Sequence, residues 1–146
     1  MHRGALILLV GLLGLVTACS PSGKSQGKPV RVDASNMKEF EARARAGDID
    51  AMRAIAWHSD FEASAPEKAV PWLEMAVAHG SSKAMRGLAI HLSTTGGVQN
   101  CRRAESLLLR SIQRPDDQMA KESSELSLAH LRAGAGAGDC SGILKP

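Results

Sequence analysis

The thirteen residues from Ala46 to His58 return 33 positions later as His79 to His91. Gly47, Ala51, Met52, Arg53, Ala56 and His58 reappear as Gly80, Ala84, Met85, Arg86, Ala89 and His91. Further on, Ala69 corresponds to Ala104, which needs only a two-residue loop insertion. A fixed period in this range constrains the fold more than any other feature. One such unit cannot bury its apolar face alone, and stacking neighbours creates the core. The core has few large side chains to draw on. Aromatics are 3% of the chain, namely Phe40, Trp57, Phe61 and Trp72, with no Tyr. Ala, Leu, Met and Ile must fill it, which favours closely packed helices over a sheet. The expectation is an all-α chain, a short solenoid of antiparallel helix pairs.

Helix start and stop signals divide the chain the same way. Asn36 opens a helix ending at Gly47, and Asp48 opens one ending near Ser59. Pro66 precedes a helix from Glu67 to His79, which Gly80 stops as a C-cap. Ser82 leads into Ala84 to Ser93, Asn100 into Arg102 to Arg114, and Pro115-Asp116 into a last helix reaching about Ala133. Pro71 falls inside the third of these helices, so it either kinks that helix or marks a later start.

The set Ala69, Trp72, Ala76, Gly80 and Ala84 resembles the Sel-one-like repeat, a relative of the tetratricopeptide repeat. The next unit keeps Gly97-Val98 and Ala104 but has Leu107, Ser111 and Pro115 where the pattern has Trp, Ala and Gly. The preceding unit is a half, Asn36 to Gly47, and Ser59 and Leu92 stand where the family has a loop tyrosine. The resemblance spans about residues 36–119 and implies a scaffold that binds other proteins.

The first 18 residues read as an export signal. His2 and Arg3 form a basic head, Gly4 to Val16 an apolar run, and Val16-Thr17-Ala18-Cys19 a small-residue cleavage site. About 13 apolar residues are too few to span a bilayer comfortably. The run resembles the lipobox of bacterial lipoproteins, which makes Cys19 the lipidation site and the new N-terminus. Several acyl chains on one residue make the attachment stable. Ser20 after that Cys implies the periplasmic face of the outer membrane. Residues 19–33 form a Ser/Gly/Pro/Lys-rich linker with an r.m.s. reach of roughly 20 Å. Residues 34–133 form the helical-repeat domain, and residues 134–146 a Gly-rich tail.

With Cys19 assigned to lipid, Cys101 and Cys140 remain as an even pair in an oxidising compartment. A disulfide between them pins the tail to the helical body. The competing reading is a reactive thiol at Cys101, whose pKa Arg102 and Arg103 would lower.

Other chemistry finds little support. A formal net charge of +3 is ordinary, and without a Lys/Arg stripe or stacking aromatics no nucleic-acid partner is expected. His58 and His91 share a repeat position, but no HxxxH or HExxH spacing accompanies His58, His79, His91 or His130, so no metal is expected. There is no GxSxG and no phosphate loop, and the expectation is no cofactor and no enzyme. Asp116 and Asp117 are placed in the first turn of a helix, where its macrodipole favours carboxylates. Glu122 and Glu125 are read as solvated.

Subtracting the packing positions leaves a candidate binding surface. Ala51, Ile55 and Ala56, with Ala84, Leu88 and Ala89, fall where the family packs its core. Arg53 and Trp57 in one unit, and Arg86 and Ile90 in the next, then form outward ridges. Together they make a partner-binding patch for an acidic-apolar segment. In the competing reading Trp57 fills core space and both Arg are solvated. The functional expectation is a membrane-anchored lipoprotein scaffold holding an envelope protein or peptide. The alternatives are a regulator of a periplasmic or cell-wall enzyme, and a thiol-based redox sensor.

Overall fold

The computed structural model describes residues 31–134, 140 and 142–144. The export signal, Cys19 and most of the linker lie outside the described residues. Among the described residues the chain is all-helical: six α-helices, no strand. They are α1 (Met37–Arg45), α2 (Ile49–Trp57), α3 (Pro66–Ala78), α4 (Ser82–Thr95), α5 (Val98–Gln113) and α6 (Gln118–Ala133). Each packs against the next in sequence, and α4 also packs against α6. Three residues join α1 to α2, and three join α3 to α4, so each chain reversal is tight. Gly47 and Gly80 make these reversals at φ +95° and +87°, in the left-handed region that glycine enters without a Cβ penalty. No helix among the described residues is long and apolar enough to cross a membrane.

The core is built from small and flexible side chains. Ala51, Met52, Ile55 and Ala56 of α2 are buried, and so are Ala84, Met85, Leu88 and Ala89 at the matching places of α4. Ala44, Ala69, Ala76 and Ala104 are fully buried, and such small residues let helix backbones approach closely. Ser111 departs from the repeat's Ala without an unsatisfied group. Its hydroxyl donates to the Ser82 carbonyl at 3.0 Å and lies 2.6 Å from Ser124 Oγ.

Several helix ends differ from the sequence expectation. Ser81, not Ser82, caps α4 and accepts the Ala84 N–H at 3.3 Å. Helix α5 begins at Val98, because Asn100 bonds the Gly96 carbonyl from inside the first turn instead of opening the helix. Helix α3 starts at Pro66 and continues through Pro71, whose ring is exposed and whose missing N–H removes the helical bond to the Glu67 carbonyl. Asp117 caps α6 through the Ala120 N–H at 2.7 Å, whereas Asp116 serves another helix altogether. Its carboxylate accepts the Ser82 and Lys83 N–H groups at the start of α4. The tail is not wholly free: Cys140 is buried, and Ile143 and Leu144 pack against the core.

Candidate functional site

Helix α2 does not stop at Trp57. It runs on through a π-helical turn, His58–Glu62, closed by the Ala63 N–H on the His58 carbonyl at 2.9 Å. The Ser59 hydroxyl donates to the Ile55 carbonyl at 3.0 Å and holds the backbone through the change of pitch. Such turns inside helices often mark functional positions. Here Trp57, the last residue of α2, and Phe61, within the turn, both present their rings to solvent. Trp57 is 49% exposed and Phe61 70% exposed, with ring centroids 5.4 Å apart and planes tilted by 33°.

Charged groups fix the turn from both sides. The Arg31 guanidinium lies 5.9 Å from the Trp57 ring centroid and pairs with Glu62. Glu62 also meets His58 Nδ1 at 2.9 Å. Desolvation pushes the Glu62 carboxyl up, but its bonds to His58 and Arg31 outweigh this and hold it below the usual range. From α4, His91 Nε2 reaches the two Asp60 oxygens at 3.0 and 3.1 Å. The repeat-matched histidines therefore both bind carboxylates of one turn. They make no metal cluster: no group of three or more potential ligands occurs among the described residues.

A cleft of about 650 Å³ opens between this turn, the start of α3 and the end of α4. Phe61, Val70 and Ile90 are among its apolar lining, and Asp60, His91 and Thr94 among its polar lining. Ile90 is 47% exposed. An apolar cleft with a few convergent polar groups is the usual form of a binding site.

The four residues expected to share one patch are divided. Trp57 stacks on Phe61, and Ile90 lines the same cleft as Phe61. Arg53 pairs with Asp50 at 3.1 Å and lines a second depression of about 410 Å³, beside Asp48, His79, Lys83 and Asp116. Arg86 lines neither, and its Nε is buried without a hydrogen bond among the described residues. Trp57 is not core filling, because half of it meets solvent. The π turn and Phe61 left little sequence signal of their own, because the stop signals place the end of α2 near Ser59. The one available hint was Phe61 standing four residues after Trp57.

Cys101 and Cys140 lie at disulfide distance, with Cα atoms 5.4 Å apart, and both are buried. No protein-family model, curated protein or solved structure matches this chain.

Proposed function

We propose that the chain is a lipid-anchored protein-interaction module of the cell envelope, and not an enzyme. In this reading the helices form Sel-one-like pairs, and the cleft bounded by Phe61, Val70 and Ile90 accepts an extended or helical segment of an envelope protein. The observation that carries the reading is that cleft. It sets three exposed or half-buried apolar side chains beside the paired Asp60 and His91. Such a surface offers shape and apolar area to a partner and no free nucleophile–base pair to a substrate. The acylated Cys19 holds the module on the periplasmic face of the outer membrane, and the Cys101–Cys140 bridge holds its tail to α5. The matched placement of Ala51/Ala84 and Met52/Met85 in α2 and α4 supports the paired-unit reading.

The test is a photo-activated cross-linker placed at Thr94, on the rim of the cleft, in exporting cells. The expected result is a discrete adduct that disappears with Ile90→Glu. A cross-linker at Met119, exposed and outside the cleft, serves as the control. Equal adducts from both positions, or none from Thr94, overturn the proposal.

A further inference from the structure

The described chain begins at Arg31, and Arg31 touches the aromatic turn: its guanidinium stands over Trp57 and pairs with Glu62. Only eleven residues separate Arg31 from Cys19. Fully extended, that link spans at most about 40 Å. The link to Cys19 therefore leaves the domain at Arg31, beside Trp57 and Glu62.

We propose that the Trp57–Phe61 turn docks on the bilayer surface that holds the acylated Cys19. The two rings enter the headgroup region, and Arg31 lies at the level of the lipid phosphates. The inference rests on the lipoprotein reading and deepens it, because it orients the module instead of merely tethering it. Three observations favour a bilayer over a protein as occupant of the turn. Trp rings, apolar with one polar edge, are enriched at membrane interfaces. The carboxylates of the turn do not project bare toward lipid phosphate, since Glu62 is engaged by Arg31 and His58, and Asp60 by His91. The short covalent link keeps the turn at an effective concentration on the order of millimolar near the surface, so two exposed rings suffice where free association would fail. With the turn on the bilayer, the Val70–Ile90 side of the cleft is left for the partner.

The experiment uses the acylated chain purified from membranes, with Trp72→Phe leaving Trp57 as its sole tryptophan. It is reconstituted into vesicles of phosphatidylethanolamine and phosphatidylglycerol whose acyl chains carry bromine close to the headgroup. Docking gives a blue-shifted Trp57 emission, quenched about twofold or more relative to unbrominated vesicles, as expected for rings at the headgroup boundary. Phe61→Ser, at an exposed position that leaves the fold intact, weakens the quenching. A Trp57→Phe chain, reporting half-buried Trp72 alone, shows none. Unquenched Trp57 emission on vesicles that carry the protein overturns the proposal. So does a blue shift that grows with protein density and ignores bromine, which assigns the turn to a second copy.

Intact mass and vesicle flotation report acylation separately. In a second arm the mature chain is coupled to a maleimide-headgroup lipid through the Cys19 thiol. That arm reads docking whether or not cells acylate Cys19, and an unquenched Trp57 there also sinks the idea.

Discussion

Asp116 and Ser82 exchange hydrogen bonds: the Asp116 carboxylate accepts the Ser82 N–H at 3.0 Å, and Ser82 Oγ accepts the Asp116 N–H at 2.7 Å. The same carboxylate takes the Lys83 N–H at 3.1 Å and the Ser81 hydroxyl at 3.2 Å. The α5–α6 connection therefore completes the N-terminus of α4, where unpaired N–H groups and the positive end of the helix favour an anion. Asp116→Ala is expected to lower unfolding stability by about 1–2 kcal/mol, the usual effect of losing an N-cap acceptor. Asp116→Asn keeps an acceptor and should lose less. Urea denaturation of the two variants beside the parent checks both, and an Ala variant as stable as the parent refutes the capping role.

The acid response follows from the same bonds. Partial burial raises the Asp116 carboxyl, but the Ser82 and Lys83 N–H groups and the Ser81 and Ser82 hydroxyls outweigh it and hold it below its ordinary 3.8. Asp48 is lowered mainly by the Ala51 N–H, and Asp117 mainly by Lys83 and the Ala120 N–H. A carboxyl lowered by folding contributes stability above its unfolded value and loses it as pH falls through its folded value. Unfolding stability should be level from about pH 7 to 5 and decline below about pH 4, with Asp116→Asn making the decline shallower. Urea midpoints measured from pH 7 to 3 give the profile. A chain equally stable at pH 3 and pH 6 contradicts it.

These contacts mark what could be read along the chain. The positions of Ala51, Ala84 and Ala89 in the core were legible, because a small residue recurring at helical spacing needs no knowledge of its neighbour. Asp48 and Pro66 as helix starts were legible because those signals are local. Asp116 was not: its partner lies 34 residues away, and only packing of α4 against α6 brings them together. The π turn was equally hidden, since its hydrogen bonds differ from those of α2 by one residue of pitch and leave no distinct pattern. The expected patch rested on repeat positions alone, which say nothing of each side chain's own partners. Equal repeat positions put Arg53 and Arg86 on equal faces, but Asp50 pairs with the first and burial takes the Nε of the second.

The cysteine pair separates 39 positions in sequence. In the chain-entropy model, closing a loop of that length stabilises by about 4 kcal/mol, and measured effects run lower. Reduction, or Cys101→Ser with Cys140→Ser, should therefore lower the melting temperature and release Ile143 and Leu144 from the core. Non-reducing peptide mapping of protein from the periplasm is expected to recover the two cysteines in one linked peptide. Recovery of both as free thiols instead makes Cys101 a candidate for redox chemistry.

Lipidation predicts a mature chain that begins at acylated Cys19. Intact mass of the membrane-extracted protein checks this, and Cys19→Ala should accumulate as an uncleaved precursor. A soluble, unmodified chain cut elsewhere removes the anchor.

The division of the predicted patch sets Ile90 against Arg53. Ile90 lines the cleft beside Phe61, so Ile90→Glu places a charge where a partner's apolar group must enter, and unpaired burial of a charge is costly. The change should remove most cleft-dependent cross-linking at little expense to stability, because the side chain is already half in solvent. Arg53→Glu acts elsewhere. It lines the second depression and sets like charges beside Asp50 and Asp48, so it should cost a few tenths of a kcal/mol in stability and leave cross-linking at Thr94 unchanged. Circular dichroism establishes that both variants keep their helices. If Arg53→Glu abolishes the adduct and Ile90→Glu spares it, the partner uses the Arg53 depression, and the cleft beside Phe61 is not the binding site.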